Sequence, residues 1–414
     1  MVSTSGGAFV AESALALSSF GPVELLVPKH RARHALDRID EVLDSRLGLG
    51  VTRTPWVIPV APAFLRTRDG QRRLFDRGAV DALEAHPRLW LDAVGASLGL
   101  ARAVRRRGPH WRAALAHWLV PSGLACSLDR RLPLVVVAHS GDVHLLGRLG
   151  LTKIIIQMLA RPALRLVVTS RFLQDKLLGS LPSRLRDWME PRSMVQPMGF
   201  FARDTGPCPP GERAERAGGL GLDPKSRVVV FAGRLEWVKG PDIFVSMARV
   251  LAAGHPDTLF VLAGEGPMRR RVHSAAGGRV RLLGQLERRD LLRLLSLADV
   301  VVAPSRVLHN GRTESAPVIL AEARAHGAAL VAADVGGVGE LVRHGVDGLL
   351  VSPGDIAGFV AAVDAVLSHD SFRRKIARAG QQRAMSLDWS VVAPRLAGGI
   401  DEAIEDGLRE GWSR

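Results

Sequence analysis

The sequence predicts an α/β protein with parallel sheets, divided between two domains. Short runs of β-branched and apolar residues alternate with longer amphipathic stretches along the chain, the rhythm of strand, helix, strand. The strand runs are apolar at successive positions, which suits strands buried on both faces beneath covering helices. Midway, "ARDTGPCPPGERAERAGGLGLDPKS" is rich in Pro and Gly and lacks a hydrophobic period, so it reads as a linker. With 414 residues, each half is long enough to bury a core of its own.

In the first half the strand candidates are "PVELLVP" (Pro22 to Pro28), "LPLVVVAHS" (Leu132 to Ser140) and "LRLVVTS" (Leu164 to Ser170). In the second half they are "SRVVVFAG" (Ser226 to Gly233), "TLFVLAG" (Thr258 to Gly264), "GRVRLLG" (Gly278 to Gly284), "ADVVVAPS" (Ala298 to Ser305) and "AALVAAD" (Ala328 to Asp334). The shared rhythm predicts two Rossmann-like domains facing one cleft, a first domain over 1–202, a linker over 203–225 and a second domain over 226–386. In such sheets ligands bind at the carboxyl ends of the strands, so the residues just after each strand carry the search for chemistry.

Composition excludes several classes. Apolar residues make up 47% and charged residues 23%, the balance of a globular chain and not of a disordered one. No apolar run reaches the ~18 residues needed to span a bilayer. The opening "MVSTSGGAFVAESALALSSF" lacks a basic flank and carries Glu12, so no signal peptide is expected. Two cysteines, Cys126 and Cys208, form neither a disulfide framework nor a metal-ligand spacing, and a cytoplasmic location is expected. The net charge of +15 lies mostly in residues 1–200, which hold 28 Lys/Arg against 16 Asp/Glu. There "ARAVRRRGPHWRAALAHW" interleaves arginines with Trp111, Trp118 and aliphatics, a face suited either to anionic lipid headgroups or simply to solvent. No nucleic-acid recognition motif accompanies the arginines.

The strand ends then supply a consistent set. After "VVVFAG", Arg234 and Lys239 stand five apart around a turn, one guanidinium and one ammonium suited to a diphosphate; a surface pairing with Glu236 is the plainer alternative. After "LFVLAG", Gly264 to Met268 forms a glycine-containing turn that lets backbone approach a ligand, or is an ordinary strand-to-helix connection. After "DVVVAPS" comes "TESAPVILAEARAHGAALVAADVGGVGE", with Glu314 in a turn and Glu322 inside an apolar helical run. Carboxylates are costly there unless a partner offsets the desolvation. Pro317 is expected in the first helical turn, with N–H groups near Ser315 and Ala316 open to an anion. Glu322 can accept two hydrogen bonds from a ribose diol and Glu314 one from a sugar hydroxyl.

Taken together, "GRLEWVKG", "GEGPMR", "ADVVVAPS" and the Glu314 to Asp355 segment resemble the successive donor-domain motifs of glycosyltransferase family 4, whose members have the GT-B fold and retain anomeric configuration. The spacing of Glu314 and Glu322 matches that family's E-x7-E motif, and the order of the four blocks matches as well. In the first half, "AHWLVPSG", "VVVAHSGDVHLLGRL", "LVVTSRFLQDKLLGSL" and "QPMGFF" resemble the acceptor-domain segments of polysaccharide-type members. The resemblance implies catalytic roles for Arg234, Lys239, His139 and Glu314. It implies donor binding by Glu322, Gly6, Gly7, Gly233, Gly264, Glu265, Ser315, Ala316, Pro317 and Val318. It also implies a nucleotide-diphosphate sugar as donor, a glycan or lipid-linked acceptor, no metal or other cofactor, peripheral contact at the inner membrane face, and a C-terminal helix over 387–414 that crosses back to the first domain.

His139 also has two other readings, as a buried structural histidine or as a metal ligand with Asp142 and His144. Three departures from the family pattern stand out. "STSGGAFVAESALAL" begins almost at the glycine-rich loop, so the first sheet is expected to lack its first strand. Ser315-Ala316-Pro317 stands where many members have x-Phe-Gly, and Ala329 replaces a common proline. A non-catalytic GT-B scaffold and a GT-B nucleotide-sugar epimerase are the rival expectations.

Overall fold

The computed structural model describes residues 8–44, 55–61, 88–202 and 205–412. They form two compact units, Met1–Phe201 with Trp389–Arg414, and Ala202–Asp388. Gly6 and Gly7 lie outside the described residues.

In the first unit β1 (Glu24–Pro28) and β2 (Trp56–Val60) form a parallel pair. β3 (Ala114–His117), β4 (Leu134–Ala138), β5 (Leu164–Val168) and β6 (Ser193–Val195) follow as a four-stranded parallel sheet in that order. Every residue of β4 is fully buried, which explains why its sequence is apolar without alternation. The helix Trp389–Arg409 packs within this unit through a buried polar knot. Trp389 donates its indole N–H to Glu12 at 3.1 Å, and Glu12 also accepts from Arg38 Nε at 2.9 Å. At the helix's other end Arg165 bridges Glu402 and Asp406 at 2.9 and 2.7 Å.

The second unit holds a six-stranded parallel sheet of β7 (Arg227–Ala232), β8 (Thr258–Ala263), β9 (Val280–Gly284), β10 (Val300–Ala303), β11 (Ala329–Ala333) and β12 (Leu349–Val351). Its spatial order is β12-β11-β10-β7-β8-β9, the doubly wound arrangement that the strand-helix rhythm predicts.

Two readings of the sequence need correction. The stretch from Arg102 to Trp118 is not one helical face: the helix Leu89–Arg107 stops at Gly108-Pro109, a short turn follows, and the chain enters β3. Proline cannot continue the helix, and Arg105 to Arg107 sit in the last turn where cations favour the helix dipole. The supposed linker also contains a helix, Arg213–Gly219. Arg213 clasps the carbonyls of Pro224 and Ser226 at 2.8 and 2.9 Å, and Arg216 donates to Ser296 at 2.9 Å, so tertiary bonds supply what the segment's composition lacks. β2, β3, β6 and β12 are short strands absent from the sequence-based set.

Gly199 lies flat against the Trp389 indole, where a methyl group would come within 2.7 to 3.0 Å of ring carbons. The variant Gly199→Ala is therefore expected to lose roughly 1–3 kcal/mol by overpacking, read as a lowered denaturant midpoint without change of slope.

Candidate functional site

β7 and β10 are neighbours in the sheet, yet the chain proceeds from β7 toward β9 on one side and from β10 toward β12 on the other. Segments leaving the carboxyl ends of these two strands diverge, and the crevice between them is where open α/β sheets bind ligands. After β7 the chain runs through Gly233, Arg234 and Glu236 into the turn Trp237–Lys239. Gly240 follows at φ +67°, packed so closely on the Pro304 carbonyl after β10 that no side chain fits. The two strand ends are thus held in backbone contact at the switch point.

A second glycine turn, after β8, is fastened to the same loop. Leu235 donates its N–H to Glu265 O and accepts from Met268 N, both at 2.9 Å. A Cβ on Gly266 would meet Leu235 backbone atoms at 2.6 to 2.9 Å. "GEGPM" is therefore a buttress for the Arg234 loop. Glu265 itself pairs with Arg269 at 3.2 Å on the surface.

Charged groups converge here in opposed pairs. Lys239 Nζ lies 2.9 Å from Glu314. Arg234 pairs with Glu236, whose buried carboxylate also takes Arg312 at 3.3 Å. The surface pairing weighed for Arg234 is thus real, but its acid is buried, and Arg234 stays 41% exposed and able to turn toward a ligand. Gly336 explains the glycine pair in the quoted segment: it abuts the Glu314 carbonyl, with φ +51° and no room for a Cβ, while Gly337 donates its N–H to the same oxygen at 3.3 Å.

The helix after β10 is Val318–Ala325, and Pro317 stands immediately before it at φ −65°, not inside its first turn. The missing N–H is therefore taken from the loop of Ser315 and Ala316. Glu322, in the second turn, is buried and ion-paired with Arg288 from the start of the helix Arg288–Leu297. Behind it the fully buried Arg324 donates to Leu341 O at 2.7 Å and lies 3.9 Å from Asp347. Burial pushes the Asp347 carboxyl up, but hydrogen bonds from Arg343 and Arg383 outweigh it and hold the group below its usual range. This buried cluster fixes the helix that carries Glu322.

Within the first unit, His139 begins the helix Ser140–Arg148. Asp142 accepts backbone N–H groups from Leu119 at 2.6 Å, His139 at 2.8 Å and Val143 at 3.1 Å, so it anchors the helix start. Among the described residues no three His, Cys, Asp or Glu side chains converge as a metal site, and Asp142 is occupied by backbone N–H groups. His139 Nε2 lies 3.1 Å from His117 Nδ1, and His117 Nε2 lies 3.4 Å from Ser13 Oγ. Ser13 spends its proton on the Val10 carbonyl at 2.9 Å, so it accepts from His117 Nε2–H. The tautomers in which His117 accepts at Nδ1 and His139 donates through Nε2–H satisfy all three contacts. Trp118, at φ +71°, tilts its ring over His139 with 4.8 Å between centroids. A bulky residue at positive φ is a strained conformation that packing must enforce. Burial pushes His139 down to about 3 and His117 well below its usual range, and both rings are neutral at neutral pH.

The structure therefore gathers Arg234, Lys239, Glu314 and the Gly233, Gly264 and Ser315–Val318 backbone around one strand-end crevice, with Glu322 on the adjoining helix. The sequence missed Arg288, Arg312 and His117. Arg288 and Arg312 carry no local signal, being 34 and 76 positions from the carboxylates they meet. His117 could have been noticed as a polar residue ending an apolar run.

Residues 212–383 match the family described as Glycosyl transferases group 1. A D-inositol 3-phosphate glycosyltransferase of Mycobacterium sp. (strain KMS) is 37% identical over 165 residues, 38% of this chain and 36% of the relative. A glycogen synthase of Mycobacterium tuberculosis (strain ATCC 25618 / H37Rv) is 36% identical over 175 residues, 41% of each. The chain thus spans about two fifths of the curated relatives it matches. Along nearly the whole chain the fold resembles Anabaena HepE in complex with UDP and glucose, with a TM-score of 0.67 at 18% identity, covering 97% of this chain and 99% of that one. Sucrose-phosphate synthase from Thermosynechococcus elongatus gives the same TM-score and identity over 96% and 97%. The architecture is that of the GT-B glycosyltransferases, and the second unit carries the group 1 match.

The neutral histidines have a pH signature. The unfolded chain takes up protons on both imidazoles below its pKa of about 6.5, whereas the folded state refuses them, so their contribution is full above that pH and lost as pH falls toward 3. Histidine-selective 15N spectra should keep His117 and His139 in neutral form at pH 5. The acid loss of stability should be shallower in His139→Phe.

Proposed function

We propose that the protein is a retaining glycosyltransferase of the family 4 type, moving a sugar from a nucleotide-diphosphate sugar to a glycan or lipid-linked acceptor in cell-surface polysaccharide or glycolipid synthesis. The observation that carries the proposal is that Arg234 and Lys239, both in the segment leaving β7, stand where β7 and β10 part, each held by a carboxylate. The names of the group 1 relatives and the UDP-containing neighbour support the same reading.

In this reading a diphosphate carries more charge than Glu236 or Glu314 and draws Arg234 and Lys239 onto its oxygens. Pre-oriented cations in a partly desolvated crevice stabilise charge building on the leaving phosphate, which is the largest contribution to lowering such barriers. No metal is needed to carry that charge. Glu314, released from Lys239, accepts from a sugar hydroxyl, and Glu322, held in place by Arg288, accepts from the ribose diol. His139 helps to hold the reacting sugar, and the departing phosphate receives the acceptor's proton.

Nucleotide-diphosphate release from a panel of UDP-, GDP- and ADP-sugars, with and without lipid extract, tests the reading. Arg234→Ala should cut turnover by about 10²-fold or more, and unchanged turnover would remove Arg234 from the mechanism. Glu322→Ala should act mainly by raising KM for the donor. Turnover should survive EDTA; its loss, restored by a divalent cation, would contradict charge neutralisation by Arg234 and Lys239 alone.

A further inference from the structure

The helix Thr152–Leu159, "TKIIIQML", is apolar on both sides. One side is core: Thr152, Ile155, Ile156 and Leu159 are buried. The other leaves Ile154 50% and Met158 46% exposed, continued by Leu149 at 47% and Leu151 at 37% in the preceding turn. Leu128, 54% exposed, joins them, because its turn is latched to the end of this helix. Arg130 donates to Met158 O at 3.0 Å, and buried Arg161 donates to Asp129 O at 2.8 Å.

Single exposed apolar side chains are ordinary; here Leu151, Ile154 and Met158 recur at helical spacing on one exposed face, with Leu149 and Leu128 in the turns at its two ends. The rim of this patch is cationic. In the segments 128–131 and 148–159 that carry the patch, Arg130, Arg131, Arg148 and Lys153 are all exposed, and the one acid is Asp129, whose carboxylate accepts Arg131's own N–H at 3.1 Å. Apolar side chains at one level with long cationic stems around them are what an interfacial element presents to anionic headgroups.

We infer that the face of Leu128, Leu149, Leu151, Ile154 and Met158 seats the protein on an anionic lipid surface, its rim cations meeting headgroup phosphates. The inference deepens the proposed acceptor reading by giving the first unit a means of reaching a lipid-borne acceptor, and it rests on that reading only for this purpose. It also moves the lipid contact away from the Arg102 to Trp118 stretch, which the fold divides between a helix and a strand.

Co-sedimentation of the full chain with phosphatidylcholine vesicles, plain or containing about 30% phosphatidylglycerol, measures the contact. Binding is expected only to the anionic vesicles and should weaken as salt rises. Ile154→Ser with Met158→Ser, and separately Arg148→Glu with Lys153→Glu, should each weaken binding about tenfold or more, with melting temperature and nucleotide binding unchanged. Arg130 is left in place because it holds the helix end. No binding to anionic vesicles overturns the inference, as does undiminished binding by the Ile154/Met158 variant. A concentration-dependent dimer that the same variant dissolves would make the face a self-contact and also overturn it. Binding is read without turnover, so a chain that binds vesicles but releases no nucleotide defeats the transferase reading alone.

Discussion

β7 and β10 end side by side, and Gly240 is pressed against the Pro304 carbonyl where their following segments separate. Lys239, one residue before that contact, reaches Glu314, which Gly336 and Gly337 hold from below. A side chain at Gly240 or Gly336 would push these backbones apart and with them the ammonium and the carboxylate. The glycines therefore set the distance between charged groups that lie 75 residues apart in the chain, and the position of each cation in the crevice follows from them.

The cations at this crevice are not left to water. Glu236 serves Arg234 and Arg312, Glu314 serves Lys239, and Glu322 serves Arg288. Burying such charges is costly, and their mutual attraction offsets the cost only where geometry is good. The arrangement keeps guanidinium and ammonium groups partly desolvated and aimed, so a more highly charged ligand exchanges partners instead of ordering free side chains. The Arg324–Asp347–Arg383 cluster plays no such part; it braces the helix beneath Glu322 from the buried side.

The first unit solves a different problem. Glu12 is buried between Arg38 and Trp389, which ties the first helix to the last one. The next residue of that helix, Ala8–Leu17, is Ser13, which meets His117 and through it His139 in a chain of two contacts. A local serine-to-carbonyl bond thus favours one tautomer of a histidine more than a hundred residues away.

The sequence by itself determined the α/β class, eight of the apolar strand runs and the strand-end positions of Arg234, Lys239 and Glu314, because strands buried on both faces and helices with one apolar side leave local periodic signals. It also marked Glu314 and Glu322 as carboxylates needing partners. Short strands such as β6 and β12 left no such trace, and the helix Arg213–Gly219 was hidden in a Pro- and Gly-rich stretch because its stability comes from Arg213 and Arg216 reaching distant groups. Only the tertiary structure decided who pairs with whom: Arg288 with Glu322, Arg312 with Glu236, His117 with His139. Electrostatic partners act across a few ångströms of space whatever their separation along the chain, so the order of residues records the need for a partner but not which residue meets it.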